Sequence, residues 1–404
     1  MTGRFVVVGM GADGWESLSP TARRSLEAAT DVYGSARQLD LLPADLTAVR
    51  TPWRSPMSEH LASLAASIGG ADVVHVLASG DPMFHGVGAS LVRLVGPDRV
   101  TVHSSPSSVS LAAARLGWDL VSTMVVSLVT APVETLALHL TDGARLLVLS
   151  RDGSTPAQVA ELLRSLGFGS SEMTVLGDLG GVAEHVVTGR ADVWNDGAPA
   201  LNVVAVDCVG PAVSRAPGLP DSHFANDGQL TKQPIRALTV SALAPAEGRL
   251  LWDVGAGSGS IGIEWLRQLR TGRVVAFESD TDRAAVAMAN ACRHGVGNRY
   301  EMRGGAPASL DGAPTPDAVF IGGGMTADVL DAAWSALRVG GRIVANAVTI
   351  ETERLLVEAA GARGGDLIRV SVERAAPLGR STAWRPALPI VQWTAVKESG
   401  AGLS

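Results

Sequence analysis

The sequence predicts an α/β protein with two domains. Apolar, strand-like runs alternate with helical periodicity through both halves of the 404 residues, which is typical of largely parallel sheets covered by helices. A stretch rich in proline and turn formers, between residues 210 and 230, interrupts this alternation. Because the chain can form a full core on each side of it, we expect domains at 1–208 and 226–404, joined by a linker at 209–225.

Four apolar runs in the first half have the length and the flanking turn residues of buried strands. Between them, longer stretches repeat apolar residues every three or four positions, as amphipathic helices do. The predicted strands are Phe5–Val8, Val73–Leu77, Leu146–Leu149 and Leu201–Val206, and the predicted helices are Ser58–Ser67 and Pro156–Leu166.

The second half continues the alternation after a helix expected at Pro234–Leu243. Its most informative part, residues 250–279, is predicted to form a strand, a glycine-rich turn, a helix and a second strand. A proline- and glycine-interrupted stretch that begins at residue 373 is predicted to be a loop. The other predicted elements are strands at Ala318–Ile321, Arg342–Ala347, Leu367–Val372 and Ile390–Ala395, and helices at Thr326–Leu337 and Glu351–Ala360.

Glycine crowds the turn of this βαβ unit, between a strand that carries Asp253 and a strand that ends at Glu278. Such a turn sets bare backbone against a nucleotide-like ligand, while the second carboxylate suits ribose hydroxyls. The spacing is neither G-x-G-x-x-G nor that of a phosphate-binding loop. The run Asp-Val-Gly-Ala-Gly-Ser-Gly resembles motif I of the Rossmann-like methyltransferases, which bind S-adenosylmethionine. The resemblance implies cofactor contacts from Asp253, Gly255, Ala256, Gly257, Ser258, Gly259 and Glu278.

Three loop segments in the first half follow predicted strands, at the edge where open α/β sheets bind ligands. They are Gly9–Gly14, Gly80–Phe84 and Ser104–Ser108. In this order and spacing they resemble the tetrapyrrole methylases, whose two-lobed fold differs from the Rossmann-like one. Asp81 taken alone also fits a helix cap or a turn. The resemblance implies a second S-adenosylmethionine site at Gly80, Asp81, Pro82, Ser107 and Ser108.

The order of the two domains carries a further resemblance. A tetrapyrrole methylase followed by a Rossmann-like methylase is similar to the bifunctional precorrin-6Y methyltransferase family of cobalamin biosynthesis. That family methylates ring carbons 5 and 15 and removes the ring C acetate carboxylate. The resemblance implies carbon-5 methylation in the first domain, the other two steps in the second, and one S-adenosylmethionine per domain. It also implies cofactor contacts from Thr231, Gly305 and Ala306 and substrate contacts from Gly323 and Gly324.

Arginine is the expected ligand for the carboxylates of such a substrate. Lysine occurs only at Lys232 and Lys397, and the planar guanidinium binds carboxylates in a bidentate fashion. The alternative is that these arginines are solvated surface residues. No acid or base can be assigned, because an electron-rich ring carbon needs none for methyl transfer. The candidate substrate ligands are Arg236, Arg374, Arg380 and Arg385.

Charge and composition weigh against several other functions. The net charge is −7, and acidic residues outnumber basic ones in the first 225 residues, which disfavours binding to nucleic acid through phosphates. No apolar run is long enough to span a membrane, and no signal-peptide pattern is present, so we expect a cytoplasmic protein. Cys208 and Cys292 have no metal-binding context, and no metal is expected.

Two rival functions stay open at this point. The first is an RNA or protein methyltransferase, since both folds occur in such enzymes. The second is a non-catalytic protein that binds the cofactor or the macrocycle. The glycines of the turn and the ribose-binding acid at Glu278 are all present, which favours an enzyme. The resemblance also implies a homo-oligomer that assembles through the second domain.

Overall fold

The computed structural model describes residues 3–70 and 72–399, which form two compact units. One contains the described residues up to Val133 together with Thr141–Ala212. The other contains Glu134–Leu140 and the described residues from Val213 onward. The short segment Glu134–Leu140 packs with the second unit, where Leu138 touches the core, although its sequence position lies inside the first expected domain.

The first unit begins with a five-stranded, wholly parallel sheet in the order β3-β2-β4-β1-β5. The strands predicted at Phe5–Val8 and Val73–Leu77 and the helix predicted at Ser58–Ser67 are confirmed, and their ends shift by at most two residues. The elements are β1 (Arg4–Met10), α1 (Pro20–Glu27), β2 (Asp31–Gly34), α2 (Ala36–Asp40), β3 (Val49–Pro52), α3 (Met57–Ser67), β4 (Val73–Ser79), α4 (Val87–Val95) and β5 (Val100–His103).

Both faces of this sheet are buried, as is usual for parallel strands. Phe5 and Val7 of β1 join the core on one face, while Val8 and Met10 join the core on the other. Because β1 lies between β4 and β5, the loops that follow these three strands meet at one edge. That edge carries all three loop segments singled out in the first half of the sequence.

The second sheet of this unit is mostly antiparallel, so the expectation of largely parallel sheets is wrong here. Its order is β6-β7-β10-β8-β9, and only the β6–β7 pairing is parallel among the described strands. A short connection joins β8 to β9, and a short connection permits only a hairpin. The elements are α5 (Ser108–Leu116), β6 (Met124–Ser127), β7 (Arg145–Leu149), α6 (Thr155–Ser165), β8 (Glu172–Gly177), β9 (His185–Arg190) and β10 (Asn202–Asp207).

The second unit is a seven-stranded sheet in the order β13-β12-β11-β14-β15-β19-β16, with β19 antiparallel to both neighbours. All strands and helices predicted for this half are confirmed. They are α7 (Gln233–Leu243), β11 (Leu250–Val254), α8 (Ser260–Arg267), β12 (Arg273–Phe277), α9 (Thr281–Arg293), β13 (Tyr300–Arg303), β14 (Ala318–Ile321), α10 (Ala327–Ala336), β15 (Arg342–Ala347), α11 (Ile350–Arg363), β16 (Asp366–Val370) and β19 (Ile390–Val396).

The stretch predicted to be a loop after residue 373 instead forms a two-stranded hairpin of β17 (Glu373–Leu378) and β18 (Ser381–Pro386). Gly379 turns the chain with a positive φ of 60°. The loop was predicted because proline disfavours strands inside a sheet. Both strands of a two-stranded ribbon are edge strands, however, and an edge strand tolerates proline. Among the described residues, no helix is both long and apolar enough to cross a membrane.

Candidate cofactor and substrate sites

A cavity of about 710 Å³ lies at the carboxyl edge of the sheet in the second unit. Loops that follow β11, β12, β13 and β14 form one side of it, together with the segment before α7. The ends of β15, β16 and β19 and the start of β17 form the other side. The wall includes eleven residues predicted for cofactor or substrate binding: Thr231, Gly255, Ala256, Gly257, Ser258, Glu278, Gly305, Ala306, Gly323, Gly324 and Arg374.

Glycine at position 255 allows two loops to touch. Gly255 has a φ of 69°, and a Cβ there would lie 2.2 Å from the carbonyl oxygen of Gly323. Gly255 and Ala256 also donate their N–H groups to the carbonyl of Phe277. The turn is therefore held on both sides by backbone, and any side chain at position 255 would separate the walls of the cavity.

Glu278 is fixed at the end of β12 by backbone donors. One carboxylate oxygen accepts the N–H of Gly257 at 2.8 Å, and the other accepts the N–H of Asp280 at 3.0 Å. The oxygen that accepts from Asp280 also accepts the Ser279 hydroxyl at 3.5 Å, whereas the oxygen that accepts from Gly257 keeps a second lone pair for a ligand. The next residue, Ser279, lies directly against Gly305, where a Cβ would come within 2.8 Å of the serine Cβ. The acid and the loop after β13 thus form one continuous wall.

Two predicted cofactor residues lie beneath this wall instead of on it. The carboxylate of Asp253 is buried and accepts the N–H of Gly262 at 3.0 Å. Burial, reinforced by the charge of Glu278, raises the pKa of Asp253 to about 7. Gly259 caps α8 with a φ of 75°, and a Cβ there would lie 2.9 Å from the hydroxyl of Tyr300. Asp253 and Gly259 shape the turn from below.

Arg236 does not have the substrate-binding role proposed from the sequence. Its side chain is fully buried, and its Nε donates to Glu264 at 2.5 Å. The remaining guanidinium nitrogens donate to Asp221 and to the carbonyls of Thr231 and Leu219. All its donors serve the fold, because an amphipathic helix can bury an arginine whose partners come from distant parts of the chain.

The other three candidate arginines lie on the hairpin. Arg374 lines the cavity, and Arg385 stands directly opposite it in the antiparallel register. Arg385 donates to the carbonyl of Pro377 at 3.2 Å. Arg380 occupies the turn, away from the cavity wall that Arg374 joins. Within the described part of the chain, the side chains of Arg374 and Lys232, which also lines the cavity, have no hydrogen-bond or ion-pair partner.

Sequence reasoning missed several polar residues of the cavity, namely Gln229, Ser260, Ser279, Arg283 and Asn346. Asn346 lines it from the end of β15, and its side chain is only 8% exposed. Its neighbours on this wall are apolar, and they include Val348, Val370 and Ile390. A lone amide within the strand Arg-Ile-Val-Ala-Asn-Ala, at the carboxyl edge of a parallel sheet, was the signal that could have identified it.

The three loops of the first unit converge as expected. A Cβ at Gly9 would lie 2.4 Å from the Gly80 carbonyl oxygen, 2.9 Å from Pro82 and 3.0 Å from the backbone nitrogen of Ser105. Gly80, with a φ of 59°, leaves a Cβ only 3.3 Å from the Cα of Ser107. The edge is thus built from backbone in close contact.

The polar side chains at this edge already have local partners. Asp81 accepts the N–H of Met83 at 2.8 Å, which is the turn role that the sequence left open. Ser107 caps α5 by accepting the N–H of Ser110 at 3.1 Å, and Ser108 is the first residue of that helix. The five predicted residues are adjacent, but the described contacts place no anchored carboxylate like Glu278 among them.

A loop from the second sheet of this unit reaches the first loop. A Cβ at Gly181 would lie 3.1 Å from the Cβ of Ala12. The loop is braced by Glu184, which accepts the N–H of Gly180 at 2.7 Å and pairs with Arg115 at 2.5 Å. The hydrogen bond from Arg115 is the main cause that lowers the pKa of Glu184. The two sheets of the unit therefore meet beside the candidate site.

Comparison with known proteins assigns a family to each part of the chain. Residues 4–193 match the tetrapyrrole (corrin/porphyrin) methylases, and residues 222–397 match the precorrin methyltransferase domain. A precorrin-6Y C(5,15)-methyltransferase (decarboxylating) from Sinorhizobium sp is 44% identical over 97% of this chain and 96% of its own length. The chain belongs to the precorrin-6Y C(5,15)-methyltransferase family. The fold class and the resemblance predicted from the sequence are confirmed.

Further relatives agree with this family. A precorrin-6Y C(5,15)-methyltransferase (decarboxylating) from Mycobacterium tuberculosis is 46% identical over 97% of this chain and 100% of its own length. A shorter relative from Pyrobaculum calidifontis, a probable cobalt-precorrin-6B C(15)-methyltransferase (decarboxylating), is 34% identical over 44% of this chain and 95% of its own length. The RNA or protein methyltransferase alternative is not favoured.

Proposed function

We propose that this protein methylates ring carbons 5 and 15 of a precorrin and removes the ring C acetate carboxylate, with S-adenosylmethionine as the methyl donor. The observation that carries the proposal is the identity of 44–46% along 97% of the chain to two decarboxylating C(5,15)-methyltransferases. Each unit also places glycine-rich loops at the carboxyl edge of a parallel sheet, where such a cofactor binds.

The second domain is assigned carbon-15 methylation and decarboxylation, and the first is assigned carbon-5 methylation. A relative that covers less than half of this chain carries the carbon-15 and decarboxylating name by itself. Both activities thus fit within one domain of this size. The tetrapyrrole methylase domain at residues 4–193 is then left with the carbon-5 step.

The residues of the second domain fit S-adenosylmethionine. Glu278 presents its carboxylate to the ribose hydroxyls, with a spare lone pair on the oxygen that accepts the Gly257 N–H, and Gly255 and Gly257 expose bare backbone for the methionine part. Gly305 and Ala306 lie beside Ser279, where they can face the adenine, and Thr231 approaches from the segment before α7. When bound, the cofactor supplies an electrophilic methyl group on sulfur.

The other side of the cavity fits a flat macrocycle that carries carboxylates. Its wall is apolar at Val348, Val370 and Ile390, and these side chains can lie against the ring. Arg374 and Lys232 line the cavity without partners among the described residues and can bind peripheral carboxylates. Gly323 and Gly324, in the loop after β14, line the cavity without side chains, so the reacting carbon can approach the methyl group closely.

In the first domain, backbone atoms rather than side chains shape the site proposed for S-adenosylmethionine. Close contact among the loops around Gly9, Gly80 and Ser107 leaves a narrow edge for the cofactor. Asp81, Pro82 and Ser108 complete it. The loop at Gly181 beside Ala12 then faces the position expected for the macrocycle.

The protein's task in methyl transfer is alignment. The reduced ring carbon is already nucleophilic, so no strong base is needed, and holding both reactants in line can lower the barrier by about 7–11 kcal/mol. In decarboxylation, the bond from the acetate methylene to its carboxylate breaks, and the electron pair enters the conjugated ring. Carbon dioxide leaves, and the methylene carbon takes up a proton from water.

The proposal also covers assembly and location. We expect a homo-oligomer formed through the second domain, where β16 is an edge strand with Leu367 and Ile368 exposed. We also expect a cytoplasmic enzyme with no nucleic-acid partner, in keeping with the net charge of −7. Light scattering of the purified protein measures the first of these directly.

The test of the proposed function is the mass of the product made from a reduced precorrin-6 and S-adenosylmethionine. A gain of two methyl groups with the loss of one carbon dioxide is the expected result. A single added methyl group without decarboxylation would restrict the activity to the first domain. An unchanged substrate, with the cofactor bound, would contradict the proposal.

A further inference from the structure

Asn346 is a buried polar residue at the apolar side of the cavity, and nothing in the function described so far uses it. It lies at the carboxyl end of β15, and its side chain is 8% exposed. The same cavity wall includes the apolar residues Val348, Val370 and Ile390. An amide in such surroundings costs free energy unless its hydrogen bonds are made. Its partners therefore indicate what it is for.

A network of three side chains fixes the orientation of this amide. The hydroxyl of Thr239 on α7 donates to the Ile235 carbonyl at 2.8 Å, so its oxygen must accept from its other neighbours. Asn346 Nδ2 donates to this oxygen at 2.9 Å, and Gln392 Nε2 donates to it at 3.1 Å. Gln392 Nε2 also donates to Asn346 Oδ1 at 2.9 Å.

Counting donors shows what the network leaves over. Both Nε2 hydrogens of Gln392 are used, one on Thr239 and one on Asn346. Asn346 uses one Nδ2 hydrogen on Thr239, so one N–H remains on a residue that lines the cavity. Thr239 and Gln392 do not line the cavity and act as supports. The network thus presents a single oriented donor of neutral charge.

The cations that line the cavity make no hydrogen bond in the Asn346 network. Arg283 is paired with Asp227 at 2.7 Å, and Lys232 and Arg374 are exposed at the surface. The hydrogen bonds of the Asn346 network involve only neutral groups. A carboxylate paired with a guanidinium is stabilised in its ground state, which opposes loss of carbon dioxide. A neutral donor in an apolar wall holds a carboxylate in place with much less of that stabilisation.

We propose that Asn346 binds the acetate carboxylate that is lost, through its remaining amide N–H, while Arg374 and Lys232 hold the carboxylates that are kept. This inference rests on the proposed function of the same cavity. In the step, the carbon–carboxylate bond breaks and its electron pair passes into the conjugated ring. Asn346 sets the carboxylate in the apolar part of the site and transfers no proton.

The test compares Asn346→Ala with the wild-type full-length enzyme acting on the reduced precorrin. Carbon dioxide release and carbon-15 methylation are followed separately, and S-adenosylmethionine affinity is measured by calorimetry. We expect carbon dioxide release to fall about tenfold to a hundredfold, as for loss of a hydrogen bond to a charged group. Methylation should fall at least several-fold less, and cofactor affinity should change less than twofold.

Asn346→Ser, which keeps a small donor, should recover part of the decarboxylation, and Asn346→Asp should abolish it through charge repulsion. Thr239→Val removes a support of the Asn346 side chain without changing the cavity wall. It is the control for a purely structural role of the hydrogen-bond network. Equal loss of both reactions in Asn346→Ala and in Thr239→Val, in step with loss of stability, would overturn the inference. The wild-type reaction is measured before any variant is made. If the wild-type enzyme releases no carbon dioxide, the proposed function itself is contradicted.

Discussion

The two units both place glycine-rich loops at the carboxyl edge of a parallel sheet, but they offer different groups to a ligand. In the second unit, two backbone N–H groups hold Glu278, one on each carboxylate oxygen. In the first unit, Asp81 accepts a single backbone N–H on one oxygen, within a turn, and Ser107 caps a helix. The second site therefore relies on an anchored charge, and the first relies on close backbone packing.

This difference predicts how each site fails. A site built on one carboxylate loses much of its affinity when that carboxylate is removed, and its geometry survives. A site built on backbone contacts is sensitive to any added Cβ and tolerant of side-chain truncation.

Removing the Glu278 carboxylate should produce the largest change in S-adenosylmethionine affinity. We expect Glu278→Ala to weaken S-adenosylmethionine binding to the second domain by about a hundredfold, because charge-assisted hydrogen bonds to the ribose and the support of Gly257 are lost. Binding to the first domain should not change. Calorimetry on the full-length protein resolves the two events once they differ in affinity.

Glu247→Ala is the matched control. Glu247 also accepts two backbone N–H groups, those of Arg270 and Thr271, and the hydrogen bond from the Thr271 hydroxyl is the main cause that lowers its pKa to about 2. It lies in the same domain and outside the cavity wall. If this variant weakened cofactor binding as much as Glu278→Ala, the contrast between the sites would be wrong.

Removal of an arginine that lines the cavity and removal of an exposed arginine outside it should have different effects on substrate binding. We expect Arg374→Ala to raise the KM for the tetrapyrrole about tenfold with unchanged cofactor affinity, because one charge-assisted contact is worth about 1.5–3 kcal/mol. Arg354→Ala, on an exposed arginine paired with Glu358, is the control and should leave KM unchanged. Steady-state kinetics at saturating cofactor measure both.

Arg236→Ala should act on stability. Its removal leaves Glu264 buried without its partner, which costs about 3–5 kcal/mol in the free energy of unfolding. Denaturant titration should show this loss. A variant that stayed as stable as the wild type but lost substrate affinity would restore the role first proposed for Arg236.

Asp253 should make the free energy of unfolding depend on pH. With its pKa raised to about 7 in the folded protein, Asp253 keeps its proton over a range where the unfolded chain has lost it. The folded state then binds more protons, so this group makes the free energy of unfolding fall as pH rises from about 4 to about 7. Asp253→Asn should remove that component, about 2 kcal/mol between pH 5 and 7. An identical pH profile for both proteins would contradict the buried state of this carboxyl.

The sequence was most informative where glycine and strand ends coincide. Gly255, Gly257 and Glu278 were placed correctly because a strand, a tight turn and a second strand leave few arrangements. The loops at Gly9 and Gly80 were recognised for the same reason. The position of strand ends on a sheet edge is a local property, so local patterns predict it.

Side-chain partners and sheet direction were harder to predict. The burial of Arg236 depends on Glu264 and Asp221, which lie 28 and 15 residues away, and no local pattern links them. Asn346 gains its place from Thr239 and Gln392 on two other elements. Strand pairing in the second sheet and in the hairpin likewise depends on contacts between distant residues.

We expect one chain to carry two independent S-adenosylmethionine sites, and the number of cofactor molecules bound per chain measures this. Equilibrium dialysis should give two for the wild type. Gly9→Ala and Gly255→Ala should each give one, because a Cβ would lie 2.4 Å and 2.2 Å, respectively, from a carbonyl oxygen of the facing loop. Gly312→Ala, with a φ of 66° but open space around it, should still give two. One site in the wild type, or loss of both sites in either single variant, would contradict the account.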